Sequence, residues 1–190
     1  MNTLGLPALK TVVNALDANV IPYMLGGSFA SSFYGIPRAT FDADLVVEIS
    51  PVNAERLYVS LKNAFYADPE EILQAAEKRT SFNLIHLETA FKVDIFPLKT
   101  DDYSKQAFAR RVKQILSPES GTGLWLQAPE DVIISKLLWH KLGGEASVKQ
   151  PADIVGVLRT QAGALDRAYL NLWVERLGLA AIFKKIEPDA

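Results

Sequence analysis

Residues 26–44 read GGSFASSFYGIPRATFDAD, which sets Gly26-Gly27-Ser28 and Asp42-Ala43-Asp44 one short helix apart. SFASSFYG fits that helix, with Ser28 at its beginning and Gly35 at its end. Upstream, IPYMLGG is a short apolar run closed by two glycines, the pattern of a strand entering a tight turn. Downstream, Pro37 breaks the chain and ATFDADLVVEIS alternates as a strand with two unlike faces. Asp42 and Asp44 share one face; Ala43, Leu45 and Val47 share the other. Ahead of all this, residues 5–19 carry Leu9, Val12, Val13 and Leu16 at helical spacing, with Pro7 near the start.

Working towards the C-terminus, Pro51 to Phe65 is helical by period, and PEEILQAAEKR starts a second helix with Pro69 and two glutamates in its first turn. SFNLIHLE and FKVDIFPL, separated by Thr89 and Ala90, predict a β-hairpin. In it Lys92, Asp94 and Phe96 point one way, and Val93 and Ile95 the other. From about residue 100 the pattern turns helical: a helix near 101–116, a loop through Pro118, Gly121 and Gly123, a short apolar piece LWLQ, then APEDVIISKLLWHKLGG. Further helices begin near Pro151 and Asp166. The expected organisation is an α+β core over residues 1–100 and a helical region over 101–190 packed on it.

Composition narrows the chemistry. With 49% apolar and 22% charged residues, the chain has what an ordinary globular domain needs to bury a core. The balance of 20 basic against 22 acidic residues argues against a protein that coats nucleic acid through bulk charge. Lys105, Arg110, Arg111 and Lys113 could form a local basic face, which reads most simply as a solvated helix surface. The absence of cysteine removes disulfides, thiolate metal sites and a Cys nucleophile. Two histidines, His86 and His140, argue against a multi-histidine zinc site and read as hydrogen-bonded in place. Trp125, Trp139 and Trp173 read as packing residues. MNTLGLPALK lacks the form of a signal peptide, and no apolar run approaches the roughly 20 residues of a membrane span. A cytoplasmic protein is expected.

The setting of three carboxylates makes them stand out. Asp42 and Asp44 project from one strand face within a single pleat. Asp94 lies mid-strand in FKVDIF, where a charge is costly unless paired. If the two strands are neighbours, the three carboxylates converge and repel each other unless cations join them. Donors made only of oxygen favour Mg²⁺ or Mn²⁺ over zinc or copper. Gly26 and Gly27 allow close backbone approach, and the helix that follows aims free N–H groups at an anion, with Ser28 adding a hydroxyl donor. A phosphate cradle beside a divalent-metal cluster suits phosphoryl or nucleotidyl transfer. Lys92 shares a strand face with Asp94, so it either steadies triphosphate charge or pairs with a neighbouring carboxylate. Singly, GGS is most often a turn and DxD a solvated strand edge; it is their order and placement together that carry the reading.

In that order the motifs resemble the nucleotidyltransferase superfamily typified by DNA polymerase β: Leu25-Gly26-Gly27-Ser28, then Asp42-Ala43-Asp44, then Val93-Asp94-Ile95. The opening stretch is similar to the bacterial minimal nucleotidyltransferases and to the abortive-infection class of nucleotidyltransferase toxins, where an Arg-x-Thr precedes the acidic pair. Arg38 and Thr40 occupy those places. In the toxin-like branch a helix carrying a lysine is followed by a helix with an aspartate, as Lys136 and Asp153 are arranged here. The chain departs from that branch at Lys149-Gln150, where an arginine-rich segment is usual.

The resemblance implies a nucleotidyltransferase-like mixed β-sheet flanked by helices and followed by a C-terminal helical region. It implies an enzyme dependent on Mg²⁺ or Mn²⁺ that moves an NMP group from an NTP to an acceptor hydroxyl on RNA, protein or a small molecule. Asp42, Asp44 and Asp94 would be the catalytic and metal-binding residues. Gly26, Gly27, Ser28, Arg38, Thr40 and Lys136 would bind the nucleotide, with Lys92 and Asp153 as accessories. The rival expectation is an antitoxin-like or nucleotide-binding partner module with the same fold and little or no turnover.

Overall fold

The computed structural model describes residues 5–115 and 123–187, and those residues group into two compact units. One comprises the described parts of Met1–Gly26 and Ala39–Leu126; the other is Gly27–Arg38 with the described part of Gln127–Ala190.

The first unit is built on a seven-stranded mixed sheet. Its strands are β1 (Tyr23–Leu25), β2 (Asp42–Val47), β3 (Phe65–Tyr66), β4 (Phe82–His86), β5 (Lys92–Pro97), β6 (Val112–Ile115) and β7 (Gly123–Leu126), in the order β3-β4-β5-β2-β1-β7-β6. β1 runs antiparallel to β2, and β2 parallel to β5. Helix α1 (Gly5–Ala18) buries the expected stripe of Leu9, Val12, Val13 and Leu16. Alternation does the same for the strands: Ala43, Leu45, Val47, Val93 and Ile95 are wholly buried, which turns their neighbours to the opposite face. On that other face, Val46 packs on a small cluster of Met24, Leu98 and Phe108.

Local chemistry sets the helix boundaries. Helix α3 (Pro51–Leu61) starts at Ser50, whose side chain accepts from the Asn53 N–H; α4 (Pro69–Lys78) starts at Asp68, which accepts from Glu70 and Glu71. α3 stops before Phe65, contrary to the periodicity, because Phe65 and Tyr66 pair with His86 and Ile85 of β4. The helix expected over 101–116 is also shorter. α5 (Asp102–Ala109) ends at Arg110, and Val112–Ile115 pairs antiparallel with Gly123–Leu126. LWLQ is therefore mostly strand, with Leu124 and Leu126 buried. The expected basic helix face is split between a helix end and this edge strand. Arg111 lies over the Phe108 and Trp125 rings, at 4.3 and 5.1 Å, and Lys113 lies 5.9 Å from the Trp125 ring. Pro118 and Gly121 of the expected loop lie outside the described residues.

The second unit is helical: α2 (Gly27–Tyr34), α6 (Pro129–Leu142), α7 (Lys149–Thr160), α8 (Arg167–Arg176) and α9 (Ala180–Ile186). α2 packs on α6 and α7, and glycines permit its approach. A Cβ built on Gly35 would stand 2.8 Å from the Val157 nitrogen, and one on Gly156 would stand 3.2 Å from the Ile36 nitrogen. α6 buries polar residues as well as Val132, Ile133, Ile134 and Leu137, and each acid at its start has a donor. Glu130 accepts from the Asp166 N–H and Asp131 from the Tyr169 hydroxyl, both at 2.7 Å. Trp173 is packed as expected, whereas Trp139 is 55% exposed on the outer side of α6. No helix among the described residues is long and apolar enough to cross a membrane.

Candidate functional site

In the first unit the acidic residues meet through strand pairing. Across the parallel β2–β5 ladder, Asp44 stands opposite Asp94 and Asp42 opposite Lys92. Residues paired in register on a ladder share a face, so Asp42, Asp44, Lys92 and Asp94 all rise from the side opposite the wholly buried one. The neighbouring strands expected from FKVDIF and FDAD are thus adjacent.

Each functional atom has a local partner. The Lys92 ammonium lies 2.7 Å from Asp94 Oδ2, which gives the buried aspartate its counter-charge. That hydrogen bond pulls the Lys92 pKa above its ordinary value; partial burial opposes the shift, and the charges of Asp94, Asp42 and Asp44 reinforce it. The carboxylate that Lys92 meets is that of Asp94. The Thr40 hydroxyl donates to Asp42 Oδ1 at 2.9 Å and reaches the Asp42 carbonyl at 3.2 Å. Thr40 therefore touches Asp42. The Gly26 N–H donates to the Asp44 carbonyl at 2.9 Å, extending the β1–β2 pairing one residue into the glycine turn. His86 accepts or donates at 2.9 Å with Thr89 and is held in place, as expected.

Oxygen donors from three aspartates on one face fit a hard divalent cation such as Mg²⁺ or Mn²⁺ in kind. Among the described residues no group of three or more Asp, Glu, His or Cys is arranged to hold a metal ion as it stands. Lys92 shares the face with the carboxylates and holds one of them.

The second unit gathers the cationic residues. Gly27 opens α2 at φ 55°, a left-handed value that glycine adopts without strain. Ser28 and Ser31, three apart on the helix, lie on one side of it. Arg38 donates from Nε to Asp153 Oδ1 at 2.8 Å, and from Nη2 to Asp153 Oδ2 at 2.9 Å and to Ser28 Oγ at 2.7 Å. Lys136 Nζ and Ser31 Oγ add bonds to Asp153 Oδ2 at 2.8 and 3.2 Å. Burial pushes the Asp153 carboxyl up, but hydrogen bonds and charge from Arg38 and Lys136 outweigh it and hold the pKa below the ordinary carboxylate value.

Arg38 and Lys136 both hold the Asp153 carboxylate in this cluster. Lys136 and Asp153 are buried, while the Arg38 side chain, 32% exposed, forms the open edge. Ser28, Arg38, Lys136 and Asp153 are therefore brought together in this unit. Ser31 joins them, a residue that the sequence reading missed although its spacing from Ser28 places it on the same helix side.

No family model matches the chain, and no curated protein matches it. Solved structures do. The antibiotic-resistance factor ANT(2'')-Ia, in solution, aligns over 97% of this chain and 98% of its own at a TM-score of 0.59 and 15% identity. An antigenic nucleotidyltransferase-like protein from Paracoccidioides brasiliensis aligns over 93% and 87%, at a TM-score of 0.56 and 19% identity. The lincosamide antibiotic adenylyltransferase LnuA, bound to lincomycin, aligns over 80% and 95%, at a TM-score of 0.50 and 14% identity. The chain has the nucleotidyltransferase fold, α+β with a mixed sheet and flanking helices, as the motifs implied.

Proposed function

We propose, on the premise of that fold, that the protein is a divalent-metal-dependent nucleotidyltransferase that moves an NMP group from an NTP to an acceptor hydroxyl. The observation that carries this is the pairing of Asp44 with Asp94, with Asp42 on the same face, in a chain of this fold. In the reaction the acceptor oxygen forms a bond to the α-phosphorus, the bond to the β-bridging oxygen breaks, and pyrophosphate leaves with that electron pair.

Asp42, Asp44 and Asp94 would hold the Mg²⁺ or Mn²⁺. Bound there, the ion would supply neutralising charge for the triphosphate and a more acidic acceptor hydroxyl. Asp94 would complete the ligand set and help take the acceptor proton. Gly26 and Gly27 would give the backbone turn, Ser28 a hydroxyl, and Arg38 and Lys136 cationic groups for a phosphate. Asp153 holds both cations.

Each of the four NTPs, labelled at the α-phosphate, is incubated with Mg²⁺ or Mn²⁺ and with cellular RNA, protein and small-molecule fractions as acceptors. The label is expected to pass to an acceptor in one of these fractions. Full transfer by an Asp42→Ala, Asp44→Ala double variant would overturn the assignment.

A further inference from the structure

We propose that Lys92 is a built-in counter-cation of the acidic face, competing with the divalent ion for Asp94 and passing to the triphosphate once the ion is loaded. This rests on the metal-dependent reading above. The geometry is specific: Lys92 lies opposite Asp42 across the ladder, two residues before Asp94 on the same strand, and its ammonium reaches Asp94 Oδ2 at 2.7 Å. The negative charges of Asp94, Asp42 and Asp44 all act on it.

Three carboxylates on one sheet face repel one another, and a fixed ammonium offsets one of them in the absence of any ion from solution. A divalent ion held by Asp94 would share that carboxylate with the Lys92 ammonium, and the two like charges would repel. Lys92 is suited to leave. Its charge rides on a flexible four-carbon stem and its side chain is 44% exposed, so swinging away breaks one partly solvated ion pair. The NTP of the proposed reaction is a polyanion, and the released ammonium would pair with its triphosphate. Metal and nucleotide then bind with positive coupling, because each favours the state in which Lys92 has left Asp94.

The test measures Mn²⁺ binding to the full chain by the loss of the free-ion EPR signal, with and without α,β-methylene analogues of the four NTPs. Lys92→Met is expected to bind Mn²⁺ roughly 10-fold more tightly than wild type without nucleotide, and to bind the analogues more weakly at saturating Mn²⁺. Lys92→Arg, which keeps the charge, is expected to stay near wild type in Mn²⁺ affinity. Unchanged Mn²⁺ affinity in Lys92→Met overturns the competition, and unchanged analogue affinity overturns the hand-over. An Asp42→Asn, Asp44→Asn variant separates the two layers. If it retains wild-type Mn²⁺ binding, the metal reading itself fails; if it loses binding while Lys92→Met matches wild type, only the role of Lys92 fails.

Discussion

Arg38 grips Asp153 with a two-point fork, Nε on one carboxylate oxygen at 2.8 Å and Nη2 on the other at 2.9 Å, while Lys136 holds the second oxygen from the buried side. The anion is thus the member that both cations depend on. Asp153→Ala would leave Lys136, 5% exposed, without its counter-charge, and breaking a buried pair in this way costs about 3–5 kcal/mol. Arg38→Lys leaves the Lys136–Asp153 pair intact and should cost clearly less. Urea unfolding of the two variants gives the order directly.

The same carboxylate predicts an acid limb. In the folded chain Asp153 is harder to protonate than in the unfolded chain, because the two cations outweigh its burial. Its stabilisation is therefore complete above the unfolded carboxylate value of about 4 and is lost as pH falls through the lower folded value. Unfolding midpoints measured from pH 6 to pH 2 should fall more steeply for wild type than for Asp153→Asn.

Thr40 acts through Asp42. Thr40→Val keeps the shape of the side chain but removes the donor that fixes Asp42 Oδ1 at 2.9 Å. If Asp42 is a metal ligand as proposed, loss of such a supporting bond should weaken metal binding by about 10–100-fold, and Thr40→Ser, which restores the hydroxyl, should recover most of it. Mn²⁺ titration of the two variants against wild type reads this out.

Gly35 faces backbone that cannot move aside. A Cβ there would lie 2.8 Å from the Val157 nitrogen and 2.9 Å from the Gly156 carbonyl carbon, so Gly35→Ala should lower stability by roughly 1–3 kcal/mol. Gly163, with nothing within 4 Å of its Cβ position, is the control. Gly163→Ala should leave the melting temperature unchanged or raise it slightly.

Val20 is strained without contacts that need it. It adopts φ 55° while 84% exposed, at the turn that follows α1, and a β-branched residue pays about 1–2 kcal/mol for the left-handed region. Val20→Gly should raise the thermal midpoint, with the gain reduced by the entropy of the added glycine in the unfolded chain.

Much of this arrangement was legible because faces are a local property. Period-two alternation placed Asp42 and Asp44 apart from Ala43, Leu45 and Val47, and did the same around Asp94, so the acidic face followed once the two strands were neighbours. What local pattern cannot show is which strand pairs with which. Val112–Ile115 looked helical after the real helix α5, and only the β7 strand opposite it turns those residues into sheet. The cationic cluster was legible differently: Arg38, Lys136 and Asp153 were picked out by their positions within a resemblance, since no spacing rule connects residues 115 apart. Thr40 and Ser31 show the remaining gap. A hydroxyl can bond to whatever lies within reach, so its partner emerges only when the backbone is placed.

The distance along the chain between Arg38 and Asp153 has a consequence for biosynthesis. Bonds that span 115 and 122 residues cannot close until α7 has left the ribosome, long after α2. Until then α2 waits without the α6 and α7 faces that bury Phe29, Ala30 and Tyr34. A nascent chain stalled before α6 would carry that helix as an unshielded, adhesive segment, a natural target for chaperones and proteases.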